Sequence, residues 1–337
     1  AEREIRDNNG YYKIIPEEKI NKKYLVKGII GKGSFGEVIN TFNETEKSEF
    51  AIKITRNKFI KGKNPFKENG QKEAKMLEEI TKIKHPSIVS YIESFIWKGH
   101  LCLVFEKLYI NLLQMMNMLK NKYVPLDKIK IMGNQINNGL SYLSSLSIIH
   151  TDIKPENIVL VNNDLDNLQV KILDFGNSCH VGSKLVEYTQ TRWYRSPEVL
   201  LCLKYDCSVD IWSFGCVLME MFTNNITFPG KNYINLMYKI IQTIGFPKNE
   251  FISSSTKYSL YFVNEDSKYK IAYPIQLSKE VNPGIDDMFE KRLKSARFYL
   301  EEDDVINDFK DLIEHILVID PNDRYDSKQI ANHNFFK

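Results

Sequence analysis

The feature that most constrains this 337-residue chain is a change of hydrophobic period shortly after residue 106. Before it come five short runs rich in Ile, Val, Phe and Tyr: Tyr24–Ile30, Glu37–Phe42, Ser48–Ile54, Ser87–Phe95 and His100–Phe105. β-Branched and aromatic residues in runs of this length predict strands. Between the third and fourth runs a charged segment places Met76, Ile80 and Ile83 at helical spacing. From residue 111 onward the spacing becomes helical. Pro125 opens a helix where its missing N–H costs nothing, and Ile129, Met132, Ile136, Leu140 and Leu143 form a stripe behind it. The stretch VDIWSFGCVLMEMF is apolar nearly all round and predicts a buried central helix, while Val305, Phe309, Leu312 and Ile316 mark an amphipathic one. The expectation is an α+β chain: an antiparallel sheet with one helix over 24–106, then a larger, mostly helical part over 107–337. Residues 1–23 read as an N-terminal extension, and the polar, Tyr-rich stretch 247–302 as an insertion.

Composition narrows the function classes. Apolar and charged residues make up 43% and 26% of the chain, as in ordinary globular proteins. A net charge of +3 gives no reason to expect direct nucleic-acid or membrane binding. The greasiest run is too short to span a bilayer and carries Glu220. The first residues contain no apolar signal core and no initiator Met, so the chain is expected to be cut from something longer. Five cysteines without a CxxC or Cys/His cluster argue against zinc. Their low density fits a reducing compartment, nucleus or cytoplasm. Cys102 and Cys216, inside apolar runs, are expected to be core thiols.

Four stretches carry chemistry. IGKGSFGEV supplies Gly31, Gly33, Gly36 and Val38 in a G-x-G-x-x-G-x-V pattern. Glycines let backbone N–H groups approach phosphate oxygens without a Cβ in the way. Here they precede the strand-like EVINTF rather than a helix, which favours a hairpin over phosphates to a dinucleotide-binding turn. In FAIKI, Lys53 sits among Ala51, Ile52 and Ile54 on a predicted strand. An ammonium so placed needs a counter-charge; Glu73 is the best candidate, with Glu68, Glu78 and Glu79 as alternatives. HTDIKPENIVL adds Asp152, Lys154 and Asn157. Phosphoryl transfer needs a carboxylate to orient the attacking hydroxyl, a cation for the moving phosphate and an oxygen ligand for Mg²⁺, and these three meet those needs. LDFGN then provides Asp174 as a second metal ligand.

With these motifs in this order, the chain from about Tyr24 to Phe336 resembles the eukaryotic protein kinases, which implies a bilobal fold with ATP and Mg²⁺ as cofactors. The resemblance assigns Phe105 to the gatekeeper position and Glu106 and Leu108 to hinge positions. It places Ile30, Val38, Ala51 and Val159 against the adenine. Ser196, Pro197 and Glu198 match the end of the activation segment, with Glu198 expected to pair with Arg324, and Asp210 is expected to cap the catalytic-loop backbone. QTRWYRSPEVLL is similar to the CMGC group. GHLCLVFEKLYINL, IIHTDIKPENI and DFGNSC resemble the dual-specificity tyrosine-regulated (DYRK) kinases and also CLK, the SR-protein kinases and the spliceosomal pre-mRNA-processing kinase. The branch stays open between them.

Thr151 stands where many kinases carry an Arg that binds an activation-loop phosphate, a strong charge-assisted contact. Thr151 has no charge to offer, yet the residues that perform the reaction remain. The resemblance therefore implies an active enzyme with another switch: Tyr188, at the position of the self-phosphorylated tyrosine of DYRK-type kinases, paired by Arg192 or Arg195. The implied activity is transfer of the ATP γ-phosphoryl to Ser or Thr hydroxyls of proteins, splicing factors among the possible substrates, by a monomer. A nucleotide-binding pseudokinase scaffold is the alternative.

Overall fold

Six strands in the order β1-β2-β3-β4-β6-β5 make one antiparallel sheet: β1 (Lys19–Ile20), β2 (Tyr24–Gly33), β3 (Gly36–Asn43), β4 (Ser48–Thr55), β5 (Tyr91–Trp97) and β6 (His100–Glu106). The computed structural model describes residues 5–119, 123–184, 186, 189–272, 284–295 and 302–337. The chain divides into two units, Ala1–Tyr109 with Leu173–Gly176, and Ile110–Ile172 with Asn177–Lys337.

The first unit is the sheet and its helix α1 (Pro65–Ile80). One face of the sheet packs Val26, Ile39, Phe50, Ile52, Ile54 and Val104 into a core that Tyr12 and Ile20 also enter. Full burial of each such side chain is worth about 1.5–3 kcal/mol. Residues 5–23 are therefore packed into this unit, and the boundary between units falls after Tyr109. Two strand and helix expectations shift. The fourth strand begins at Tyr91, because Ile88 and Val89 are buried in a turn in which the Ile88 N–H donates to the His85 carbonyl. Helix α1 starts early, where Asn64 caps the Lys67 N–H with Pro65 at the first position, and it ends at Ile80. Its buried face is Gly70, Glu73, Ala74, Leu77 and Ile80 rather than Met76, Ile80 and Ile83, and Ile83 beyond its end is 71% exposed.

The second unit is mostly helical. Helix α2 spans Leu112–Met118 and α3 spans Leu126–Ser145; the stripe Ile129, Met132, Ile136, Leu140 and Leu143 is buried throughout. Short strands β7 (Ile148–Ile149), β8 (Ile158–Leu160), β9 (Val170–Ile172) and β10 (Cys179–His180) pair as β7 with β10 and β8 with β9. Helix α4 (Pro197–Leu200) precedes α5 (Ser208–Thr223), which is buried from Val209 to Phe222 as its composition predicts. Helix α6 (Tyr233–Ile244) leads into the polar stretch. That stretch contains α7 (Asn249–Ser253), a hairpin of β11 (Phe262–Glu265) and β12 (Lys268–Ile271), and α8 (Ile285–Ser295). It is anchored: Tyr261 is buried and its hydroxyl donates to the Leu200 carbonyl at 3.0 Å. In α9 (Asp303–Ile316) the buried face uses Ile306 where the spacing suggested Val305. Cys102 and Cys216 are both buried free thiols. Among the described residues no helix is long and apolar enough to cross a membrane.

Candidate active site

In the first unit β2 and β3 form a hairpin whose last pair is Gly33 with Gly36. Gly36 has φ +154°, and a Cβ there would lie 1.9 Å from the Ile54 carbonyl oxygen, so the approach of β4 admits only glycine. Nothing lies within 4 Å of where a Cβ on Gly31 would sit. Register on β4 sets Lys53 opposite Val38 on one side and Leu103 on the other, with Ala51 opposite Phe105.

The Lys53 ammonium does not reach for water. Its Nζ lies 2.7 Å from Glu73 Oε2 and 3.8 Å from Asp174 Oδ1, with the Phe35 ring 4.4 Å away. Glu68 and Glu78 are exposed, whereas Glu73 is on the buried face of α1. Burial works against the Lys53 charge, but the Glu73 and Asp174 carboxylates more than offset it and hold its pKa above the ordinary value. Burial likewise pushes the Glu73 carboxyl up, with Lys53 pulling against it. Asp174 takes a left-handed backbone (φ +65°), and Phe175 beside it is buried. A Cβ on Gly176 would meet Asp174 Oδ1 at 3.3 Å and Glu73 Oε2 at 3.5 Å, which keeps that corner small.

The remaining first-unit positions are mixed. Ile30 is half exposed, and Val38 and Ala51 are partly buried. Glu106 is engaged with Ser90 through both its main chain and its carboxylate: the Glu106 N–H donates to the Ser90 carbonyl, and Ser90 N–H donates to Glu106 Oε1 at 2.7 Å. The Leu108 carbonyl accepts from Lys107 Nζ at 2.6 Å.

In the second unit the loop between β7 and β8 carries Asp152, Lys154 and Asn157, and its last three residues, Pro155–Asn157, form a 3₁₀ turn. Asn157 Nδ2 donates to the Asp152 carbonyl at 2.8 Å and to Asp152 Oδ2 at 3.2 Å. Lys154 Nζ lies 3.5 Å from Asp152 Oδ2. Sequence reasoning missed a further member. The Thr191 hydroxyl donates to Asp152 Oδ1 at 2.6 Å and accepts from Lys154 Nζ at 3.1 Å, tying the acid to the cation. A Thr beside Arg192 carries no pattern of its own; only the return of the chain to the loop reveals it.

The loop is held from below. Asp210, in the first turn of α5, accepts the His150 N–H at 2.7 Å and the Thr151 N–H at 2.9 Å. Burial pushes the Asp210 carboxyl up, while the two amides pull it back. These bonds fix Thr151 at φ +69°, an unusual backbone for a β-branched residue, costing about 1–3 kcal/mol. The Thr151 hydroxyl donates to the Asn177 carbonyl at 2.8 Å. The residue that replaces an Arg thus has a structural job of its own. Val159, on β8, is buried opposite Lys171. Glu198 and Arg324 form a bidentate pair at 2.8 and 3.0 Å, both fully buried. Arg192 is exposed and donates to the Lys231 carbonyl, whereas Arg195 is buried and donates to the Thr189 and Gln190 carbonyls. Tyr188 lies outside the described residues.

A β-hairpin lined by glycines, a buried Lys–Glu pair and an acid–amide loop define a phosphotransferase class, and the wider comparison agrees. The protein kinase domain pattern matches residues 24–336, so the chain belongs to the protein kinase family. It is 33% identical over 336 residues to dual specificity tyrosine-phosphorylation-regulated kinase 2 of Drosophila melanogaster, covering 98% of this chain and 44% of that protein. It is 32% identical to serine/threonine-protein kinase ppk15 of Schizosaccharomyces pombe, over 93% of this chain and 62% of that protein. Serine/threonine-protein kinase ppk5 of the same yeast matches at 35% over 79% of this chain and 31% of its own length. The chain therefore spans 44%, 62% and 31% of the length of these three relatives, and it is DYRK-like among protein kinases.

Proposed function

We propose that this domain transfers the γ-phosphoryl group of ATP to Ser and Thr hydroxyls of protein substrates. The observation that carries the reading is the Lys53–Glu73 pair at 2.7 Å. A buried ion pair is weak as a device for stability, since desolvation consumes most of its Coulombic gain. Its use here is to hold an ammonium ready for the α- and β-phosphates. Asp174 and the Asn157 side-chain oxygen are each of the type that suits Mg²⁺, which takes hard oxygen ligands and keeps substrate phosphates and water in its shell. When bound, the metal offsets charge on the phosphate oxygens.

The chain's own residues supply the rest. The Asp152 carboxylate orients the attacking hydroxyl and takes its proton, while Lys154 faces the negative charge of the moving group. Thr191 keeps these two in fixed relation. The pseudokinase alternative requires a missing cation, acid or metal ligand, and Lys53, Asp152, Asn157 and Asp174 are all present. The name of the fly relative supports a second capacity, self-phosphorylation at Tyr188, with the exposed Arg192 as the freer of its two candidate partners and Arg195 as the other. Mass spectrometry of bacterially expressed protein tests it: fully active enzyme with unmodified Tyr188 refutes it. A peptide array would separate Arg/Ser-repeat from Pro-directed substrates.

The deciding experiment for the activity is Asp152→Asn. It should leave Mg-ATP binding intact and lower turnover by roughly 10²–10⁴-fold, the usual worth of a positioned base. A variant with near-normal turnover would remove Asp152 from the mechanism.

A further inference from the structure

The tip of the glycine hairpin is tied to the segment before the sheet. Tyr11 Oη donates to the Gly33 carbonyl at 2.9 Å. Arg56 Nη1 donates to the Ser34 carbonyl at 3.0 Å, and the Arg56 N–H to the Phe35 carbonyl at 2.8 Å. Three consecutive carbonyls of the tip are thus each occupied by a donor from outside the hairpin. Arg56 is itself anchored: its Nε and Nη2 both donate to the Asn9 carbonyl, at 2.9 and 2.7 Å, and its guanidinium stacks near the Tyr11 and Phe66 rings at 4.7 and 4.3 Å. The segment is shaped for this. Asp7 Oδ1 accepts from the Asn9 and Tyr11 N–H groups. Gly10, at φ +83°, fits against Asn57, whose carbonyl oxygen would be 2.8 Å from any Cβ there.

We propose that Tyr11 and Arg56 are positioning residues for nucleotide phosphates: they brace the glycine hairpin by its carbonyls and so aim its amides. The physical link is the peptide plane. In a trans peptide the C=O of one residue and the N–H of the next point in opposite directions. Fixing the Gly33 and Ser34 carbonyls toward Tyr11 and Arg56 turns the Ser34 and Phe35 N–H groups the other way, as two adjacent donors for an anion. The proposal rests on the kinase reading, because it deepens how that reaction's nucleotide is held.

The test compares a non-hydrolysable ATP analogue with Mg²⁺ against adenosine, which lacks phosphates. Tyr11→Phe keeps the ring beside Arg56 and Lys32 and removes only the hydroxyl. Its dissociation constant for the analogue should rise about threefold to tenfold, the worth of one neutral hydrogen bond, with adenosine affinity unchanged. KM for ATP should rise by the same factor while kcat holds. Arg56→Lys, which keeps the charge but loses the fork between the Asn9 and Ser34 carbonyls, should act in the same direction. Melting temperatures recorded alongside expose a merely structural role, which would lower stability and leave the analogue-to-adenosine ratio where it was. That outcome, or a Tyr11→Phe protein indistinguishable from wild type, overturns the brace alone. Wild-type protein that binds no nucleotide overturns the kinase reading and this role with it.

Discussion

In the first unit the ammonium of Lys53 is held by side chains, chiefly Glu73 from a helix and, at longer range, Asp174. In the second unit Asp152 sits in a mesh. Thr191 and Asn157 bond to its carboxylate, and Asp210 holds the backbone of the two residues before it, His150 and Thr151. The difference concerns what each group must resist. A single ammonium on a rigid strand needs only a counter-charge, and the sheet register supplies its position. A carboxylate on an irregular loop has no ladder to fix it, so the loop's own N–H groups must be satisfied by a buried acid on the central helix. Damage to the first arrangement should therefore appear in activity, and damage to the second in stability as well.

The largest effect expected is from Asp210→Ala, which strands two buried amides at about 1–3 kcal/mol each and releases the strained Thr151. Denaturant unfolding should show a loss of about 4 kcal/mol with activity gone; a loss below 1 kcal/mol would break the contrast between the units. Next comes a pH effect confined to the second unit. Glu220, buried on α5 and accepting from the Tyr194 hydroxyl at 2.6 Å, has its carboxyl pushed up from 4.5 to about 7, chiefly by burial. The folded state thus keeps a proton that the unfolded state gives up. This contribution is fully present below pH 4.5 and is lost as pH rises to about 7, some 3 kcal/mol in all. Glu220→Gln should flatten that slope in melts across this range; an unchanged slope would refute the assignment.

Glu73→Gln sharpens the other side of the comparison. It leaves the amine with Asp174 as its nearest carboxylate and should cost only about 1–2 kcal/mol in stability, less than a fully broken buried pair. Yet kcat/KM should fall by at least about tenfold, since each 1.4 kcal/mol of lost transition-state stabilisation is a factor of ten. An activity loss no larger than the stability loss implies would erase the distinction. The smallest effect belongs to Thr151→Val, which keeps the shape and removes the bond to the Asn177 carbonyl. About 1 kcal/mol should go from stability, with turnover barely changed.

Much of the site was legible because its members announce themselves in short local strings. A Lys between apolar strand residues demands a partner, and of the four nearby acids Glu73 is the one that falls on the buried face of α1 and lies 2.7 Å from Lys53 Nζ. That face could be misjudged from spacing alone: Ile83 looked like the end of the stripe but lies past the Thr81 cap, in water. Thr191 was not legible, since a hydroxyl 39 residues from its acid has no signature until the chain returns. The packing of residues 5–23 was hidden for the same reason. Tyr12 and Ile20 look like scattered apolar residues in a polar run, and only the sheet gives them a surface to cover.

The order of chemical groups along the chain, the strand and helix periods and the family itself were set by sequence, because each depends on residues within a few positions of one another. Tertiary structure alone decided which carbonyls the Tyr11 hydroxyl and the Arg56 guanidinium would meet, which hydroxyl would steady Asp152, and why a threonine can stand at position 151. Those are matters of direction and separation between groups far apart in the chain, and hydrogen bonds, which weaken steeply with distance and misalignment, exist only where folding sets that geometry.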